Sequence, residues 1–221
     1  MKNNRTVFIL ILVFIVLIFG AGFLYQKLTA KYQPDSFVII NGDNKNTTVS
    51  SAEEITSSEV DASLEYEDSS LPSDEESETL QAAPDFLVYD SLGNEVRLSD
   101  FLGKPVVLNF WASWCGPCKS EMPGFDNLYQ KYGDSIEFIM VNLTDGMQET
   151  QEKAESFIHD AGYTFPVYFD SDSNAAYTYG ISSIPTTFLI NVDGEIEAYA
   201  MGAISEEALE NALDMILESE N

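Results

Sequence analysis

The chain has 221 residues, which allows one domain with appendages, and it carries 37 acidic against 10 basic residues for a formal charge of −27. That balance excludes a general nucleic-acid-binding protein, because such a protein needs a basic surface to engage phosphates. Two cysteines and one histidine cannot supply the four ligands of a structural zinc site without carboxylates, so we expect no metal and no other cofactor.

The first predicted element is an apolar helix. Residues 7–25 contain no charged side chain, and a helix of that length spans about 28 Å, close to the roughly 30 Å of a bilayer's hydrocarbon core. A cleaved signal peptide is the alternative, but its apolar region should be about 7–15 residues long, and Leu28–Ala30 makes a poor cleavage site. We therefore predict an uncleaved single-pass anchor over residues 1–31, with the N-terminus weakly favoured inside the cell.

The next segment, residues 32–83, is rich in Ser, Thr, Asp and Glu and lacks a sustained apolar period. Such a composition cannot bury enough surface to offset the entropy of ordering, so we predict an acidic, disordered linker. A flexible coil of this length spans roughly 40 Å. It serves either as a leash for a catalytic domain near the membrane or as a solubilising spacer.

Residues 84–221 alternate between strand and helix patterns, which predicts one α/β domain with a mixed sheet covered on both faces. A hairpin comes first, and Asp193-Gly194 is a strong turn signal for a second hairpin near the end. In chain order the predicted elements are strands at 86–90, 95–98 and 105–111, a helix at 116–132, a strand at 136–142, a helix at 149–161, a strand at 165–169, a helix at 174–179, strands at 186–191 and 195–201, and a final helix capped by Ser205.

The only two cysteines, Cys115 and Cys118, enclose Gly116 and Pro117 where a buried strand meets a helix. Free N–H groups and the dipole at a helix N-terminus favour a thiolate, so we expect a lowered pKa for Cys115. Cys115 would attack a disulfide and Cys118 would resolve the mixed disulfide. A zinc knuckle lacks a second ligand pair, and haem attachment needs a histidine where Lys119 stands.

The run FWASWCGPCK, residues 110–119, resembles a thioredoxin-fold active site. With the apolar N-terminal run, the hairpin before the core and the helical insertion after Asn142, residues 84–221 resemble the TlpA/ResA-like family of extracytoplasmic thiol-disulfide oxidoreductases. The resemblance implies a thioredoxin fold with an N-terminal β-hairpin extension and a helical insertion. It also implies reduction of disulfide-bearing proteins outside the membrane of a Gram-positive bacterium, with electrons from a transmembrane thiol carrier of the CcdA/DsbD type.

Ile184-Pro185 resembles the cis-proline loop of this family. A cis bond there would present the backbone of Ile184 beside the sulfurs, where it could pair with a substrate strand. The other interpretation is an ordinary strand-initiating proline. We expect Trp114, Gly116 and Pro117 to complete the substrate-binding surface.

Two positions set this chain apart from thioredoxin. Asn109 stands where thioredoxins have a buried aspartate for proton transfer, and an amide cannot titrate. Glu121, three residues after Cys118, matches a glutamate near the thiols of ResA-like members. It could raise the thiol pKa and relay a proton, or it could be a solvated helix residue.

Three redox functions are therefore open. The leading hypothesis is a protein disulfide reductase, with apocytochrome c or a methionine sulfoxide reductase as candidate substrates; the Gly-Pro dipeptide is that of reducing thioredoxins and differs from that of ResA. The second is a disulfide-forming oxidase or isomerase. The third is a thiol peroxidase, which needs a Thr or Ser where Ala112 stands and a nearby arginine, whereas the domain has only Arg97.

Overall fold

Ten strands form one mixed sheet in the part of the chain that the computed structural model describes, residues 36–40, 47–50 and 80–218. In chain order they are β1 (Ser36–Ile39), β2 (Thr47–Ser50), β3 (Gln81–Ala82), β4 (Leu87–Tyr89), β5 (Glu95–Arg97), β6 (Val106–Trp111), β7 (Glu137–Asn142), β8 (Val167–Phe169), β9 (Thr186–Ile190) and β10 (Glu195–Met201). The spatial order is β2-β1-β10-β9-β6-β7-β8-β4-β5, and β3 also pairs with β10. All of these strands belong to one compact unit.

The centre of the sheet is β6, in which every side chain is buried. It pairs in parallel with β7 and antiparallel with β9, so that Leu108 lies between Ile139 and Phe188. A strand with neighbours on both edges and cover on both faces has no polar side, which explains its near-continuous apolar sequence. The expected mixed sheet is confirmed.

In the described part of the chain, four α-helices cover the sheet: α1 (Gly116–Tyr132), α2 (Gln151–Ala161), α3 (Asn174–Thr178) and α4 (Glu206–Glu218). A short 3-10 helix, Leu98–Asp100, follows β5. Side chains of α1, α2 and α4 share one apolar cluster with Trp111 and Met140. A second cluster on the other face joins Val88 of the β4–β5 hairpin and Ala175 of α3 to Leu108 and Val141. The two clusters hold the ends of β6 and α1 in fixed positions, and the active-site residues lie between those ends.

Local sequence signals explain where the β9–β10 hairpin turns and where helix α2 begins. The β9–β10 hairpin turns at Asp193-Gly194 as predicted, and Gly194 has φ +81°, a conformation that side chains disfavour. Helix α2 starts two residues later than predicted, because Thr150 is its N-cap and accepts a hydrogen bond from the Lys153 N–H. Glu149 therefore lies outside the helix.

The predicted disorder of residues 32–83 is wrong for β1, β2 and β3. Strand β1 pairs antiparallel with β10, with Val38 opposite Tyr199, and buries Phe37 and Ile39 in the first cluster. The apolar run at 37–40 is too short for a periodicity test, and the open edge of β10 stabilises it. The rest of this segment, residues 32–35, 41–46 and 51–79, lies outside the described residues, and the domain boundary at residue 84 stays a prediction.

The predicted anchor over residues 1–31 also lies outside the described part of the chain. Among residues 36–40, 47–50 and 80–218, no helix has the length and apolar character to cross a bilayer.

Candidate active site

The Cys115–Cys118 disulfide lies at the N-terminus of α1, directly after the loop that follows β6. Cys115 is the N-cap residue of the helix, and its Sγ accepts a hydrogen bond of 3.1 Å from the N–H of Cys118. Pro117 occupies the first turn, where its missing N–H costs nothing. The helix therefore directs a free N–H at the sulfur that sequence analysis assigned to attack.

The two sulfurs differ in exposure. Cys115 is 5% exposed, whereas Cys118 is completely buried. An incoming disulfide can approach only a sulfur that faces solvent, so the geometry supports Cys115 as the attacking residue and Cys118 as the resolving one.

The Ile184–Pro185 peptide bond is cis and lies opposite the disulfide. The carbonyl oxygen of Ile184 is 3.8 Å from the Sγ of Cys115, and the carbonyl of Pro185 accepts a hydrogen bond of 2.8 Å from the Gly202 N–H. The fold thus brings the cysteine pair next to the cis-proline loop, although Cys118 and Ile184 are 66 residues apart in the sequence.

Three predicted substrate-binding residues surround the sulfurs on the open side. Trp114 is 50% exposed, and Gly116 and Pro117 are also exposed. An aromatic side chain that remains half exposed beside a reactive sulfur provides contact area for a partner protein. The structure therefore places all the predicted surface residues next to Cys115.

Glu121 is 3% exposed and lies one helical turn after Cys118. Its Oε1 accepts a hydrogen bond of 3.0 Å from the Asn109 amide, and its Oε2 accepts one of 3.1 Å from the Ile204 N–H. Burial raises the pKa of Glu121 to about 8, because two hydrogen bonds offset only part of the cost of an uncompensated buried charge. The interpretation of Glu121 as a solvated helix residue is wrong.

Asn109 links Glu121 to the cis-proline strand. Its amide also donates a hydrogen bond of 3.0 Å to the hydroxyl of Thr187, two residues after Pro185. Asn109, which stands in place of the thioredoxin aspartate, cannot titrate. Its hydrogen bond instead positions the carboxyl group of Glu121, which can.

Sequence analysis missed Glu149, which is completely buried. Its Oε1 accepts hydrogen bonds of 2.9 Å from the Ser113 N–H and 2.8 Å from the Asn142 amide, and its Oε2 accepts one of 2.7 Å from the Ser113 hydroxyl. Ser113 stands two residues before Cys115, so Glu149 fixes the loop that carries Trp114 and Cys115. In the sequence Glu149 belongs to an acidic run that suggests a solvated face, and no local signal marks it.

Within residues 36–40, 47–50 and 80–218, no group of three His, Cys, Asp or Glu side chains is placed to hold a metal ion. His159 is exposed on α2, with its Nδ1 3.4 Å from the carboxylate of Asp160.

Comparison with known proteins matches this arrangement to one family. The AhpC/TSA family matches residues 79–199. The thiol-disulfide oxidoreductase ResA of Geobacillus kaustophilus strain HTA426 is 39% identical over 135 residues, which cover 61% of this chain and 75% of that protein. The chain belongs to the AhpC/TSA family and, within it, to the ResA-like thiol-disulfide oxidoreductases. ResA of Bacillus subtilis strain 168 is 36% identical over 61% of this chain and 73% of its own length.

Solved structures of StoA and of a lipoprotein thioredoxin share the fold. StoA from Bacillus subtilis has a TM-score of 0.51 at 36% identity and covers 58% of this chain and 95% of its own. The exposed lipoprotein thioredoxin Etrx1 from Streptococcus pneumoniae strain TIGR4 has a TM-score of 0.51 at 30% identity and covers 60% of this chain and 99% of its own. The expected thioredoxin fold is confirmed, and this ResA-like chain is a thiol-disulfide oxidoreductase.

The thiol peroxidase alternative finds no support in the active site. Ala112 is buried and has no hydroxyl to offer a peroxide. The side chain of Arg97 is half exposed and pairs with Asp85 at 3.5 Å. Ala112 thus supplies no hydroxyl for this chemistry, and the Arg97 side chain is engaged with Asp85.

Proposed function

We propose that the chain is a membrane-tethered, extracytoplasmic reductase of protein disulfides. The observation that carries this proposal is the placement of the Cys115–Cys118 pair opposite the backbone of Ile184, with the buried carboxyl group of Glu121 one helical turn behind. This arrangement provides an attacking sulfur, a resolving sulfur, a backbone edge for the substrate and a group that exchanges protons.

The reduction proceeds in two exchanges. The Cys115 thiolate attacks a sulfur of the substrate disulfide, forming the Cys115–substrate bond and releasing the other substrate sulfur as a thiolate that takes a proton from solvent. The Cys118 sulfur then loses its proton and attacks Cys115, forming the internal disulfide and releasing the second substrate thiolate. The substrate gains two electrons, which the Cys115–Cys118 pair loses. Each released substrate thiolate takes a proton from solvent; Cys115 gave up its proton when its thiolate formed, and Cys118 gives up its proton in the second exchange.

In the second exchange Glu121 takes the proton from Cys118, and its position one helical turn after Cys118 supports this role. Its pKa of about 8 is close to the ordinary value of about 8.5 for a cysteine thiol, so transfer between the two groups costs little free energy. A carboxyl group with an ordinary pKa would be a much weaker base toward a thiol. The raised pKa therefore suits Glu121 to this step.

The small number of groups that would stabilise a thiolate in this pair supports the proposed direction of electron flow. Strongly oxidising pairs stabilise their thiolate heavily. Here the Cys118 N–H is the hydrogen-bond donor to the Cys115 sulfur among the described residues, and the spacer Gly116-Pro117 contains no histidine.

The pair must be reduced again after each cycle. The proposed donor is a transmembrane thiol carrier of the CcdA/DsbD type, reached because the apolar run at residues 7–25 anchors the chain. The candidate substrates are apocytochrome c and a methionine sulfoxide reductase. Similarity to proteins named ResA supports a disulfide-bearing protein as substrate.

Trapping of mixed disulfides tests the assigned roles. The Cys118→Ser variant should accumulate a covalent complex with its substrate that a reductant releases, because the resolving sulfur is missing. Cys115→Ser is the matched control and should trap nothing. Trapping by Cys115→Ser instead would reverse the two roles.

The redox state of the pair in growing cells tests the direction. Rapid acid quenching and alkylation of wild-type cells should show most of the Cys115–Cys118 pair as dithiol. The fraction of dithiol should fall when the membrane thiol carrier is removed. A pair that stays mainly oxidised in cells with the carrier would contradict a reductase and favour an oxidase.

A further inference from the structure

Five basic side chains lie in residues 80–218, and they are not all used in the same way. Three form ion pairs: Arg97 with Asp85, Lys104 with Glu137 and Lys131 with Glu210. The other two, Lys119 and Lys153, have no carboxylate within salt-bridge distance in the part of the chain that the structure describes. In a chain with a formal charge of −27, these are the two basic side chains of the described residues that form no ion pair.

Both of these lysines line the same groove, which lies between the first turns of α1 and α2 and has a volume of about 680 Å³. The Lys119 ammonium lies 5.5 Å from the ring centre of Phe157, and Lys153 donates hydrogen bonds to the carbonyls of Gln148 (2.7 Å) and Met147 (3.4 Å). These contacts orient the two ammonium groups without neutralising them. We call this surface the lysine groove.

The lysine groove begins at the active site. Ser113, two residues before Cys115, lines it, and Lys119 directly follows Cys118. The N-terminus of α2 at Thr150 also lines it and adds partial positive charge from the free N–H groups. Glu152 is the one carboxylate among the residues that line it, so that lining carries a net charge of +1. Asp145, outside the lining, also interacts electrostatically with Lys153.

We propose that the lysine groove binds an acidic segment that flanks the disulfide of the substrate protein. The proposal rests on the reductase function and names the surface that selects its substrates. Because the remainder of the chain is strongly acidic, it repels an acidic partner at a distance, and the groove offsets that repulsion only beside the sulfurs. Phe157 adds an apolar wall against the flanking side chains, and the backbone of Ile184, 3.8 Å from the Sγ of Cys115, holds the substrate backbone.

Exchange rates with matched peptides test this specificity. Three synthetic peptides carry the same disulfide between acidic, neutral or basic flanking residues. They are mixed with the reduced full chain in a non-ionic detergent at low salt. The Lys119→Glu/Lys153→Glu variant should lower the rate constant for the acidic peptide about fivefold and raise that for the basic peptide by a similar factor, leaving the neutral peptide within about twofold.

The matched control is Lys104→Glu/Lys131→Glu, which changes the net charge by the same amount on surfaces outside the groove. It should leave the ratio of acidic to basic rate constants within about twofold of the wild type. The faster reduction of the basic peptide by the groove variant cannot arise from misfolding. The single variant Lys119→Glu, which breaks no hydrogen bond of Lys153, should shift the ratio in the same direction.

The experiment distinguishes failure of the groove proposal from failure of the reductase function. If all three peptides are reduced but the groove variant leaves their ratio unchanged, or the control shifts it equally, the lysine groove does not select acidic flanks. If the reduced wild-type chain exchanges with none of the peptides, the reductase function fails and the inference fails with it.

Discussion

Two glutamates are buried close to the active-site loop and helix, and their surroundings differ. Glu149 accepts three hydrogen bonds, two of them from Ser113 and one from Asn142. Glu121 accepts two, one on each oxygen, and burial raises its pKa to about 8. The two glutamate side chains are buried to a similar degree, but they accept hydrogen bonds from different numbers of donors.

This difference in hydrogen bonding indicates that the two carboxyl groups have different roles. Glu149 ties the residue before Trp114 to the end of β7, so it acts by positioning the reactive loop. Glu121 lacks enough donors to hold its charge firmly, so it can exchange a proton at neutral pH. Removal of Glu149 should therefore change the stability of the fold, whereas replacement of Glu121 should change how stability and activity depend on pH.

The largest effect is expected for Glu149→Ala. The change leaves the Ser113 N–H, the Ser113 hydroxyl and the Asn142 amide without their acceptor, and it should lower the free energy of unfolding by about 4 kcal/mol. Urea denaturation measures this loss. Glu155→Ala, at an exposed position of α2, is the control and should change stability by less than about 0.5 kcal/mol. Equal stabilities of the two variants would show that Glu149 is not an anchor.

The next effect concerns pH. The folded pKa of Glu121, about 8, lies above its ordinary value of 4.5. Between those values the folded chain keeps a proton that the unfolded chain releases, so the contribution of Glu121 to stability is present below pH 4.5 and is lost as pH rises to about 8. In urea titrations at several pH values, Glu121→Gln should remove at least about 2 kcal/mol of that decline.

Glu207→Gln, at an exposed position on α4, is the matched control for this measurement. It should leave the pH dependence of the wild type intact. A Glu121→Gln chain that loses stability with pH as steeply as the wild type would show that Glu121 titrates in its ordinary range, and the contrast between the two glutamates would fail.

The smallest effect is expected for Ser113→Ala. The change removes the hydroxyl that donates to Glu149 at 2.7 Å and keeps the backbone N–H bond, so it should cost about 1 kcal/mol. Thermal and urea unfolding measure it against Ser156→Ala, an exposed serine on α2. A loss equal to that of Glu149→Ala would mean that the hydroxyl, and not the backbone bond, holds the loop.

The sequence predicts the parts of this site that depend on local signals. A continuous apolar strand followed by Cys115, Pro117 and Cys118 predicts a thiol pair at a helix N-terminus, and Asp193-Gly194 predicts the last hairpin. The burial of Glu149 could not be predicted, because its donors Ser113 and Asn142 come from two different strand ends. The pairing of β1 could not be predicted either, since it depends on the free edge of β10 far along the chain.

The reduction potential of the Cys115–Cys118 pair tests the central claim most directly. The full chain in a non-ionic detergent can be equilibrated with a series of dithiothreitol or glutathione buffers and its thiols counted by alkylation. A protein disulfide reductase should give a value near that of thioredoxin, about −270 mV. A value near that of the oxidant DsbA, about −120 mV, would contradict the reductase and make the chain a disulfide-forming enzyme.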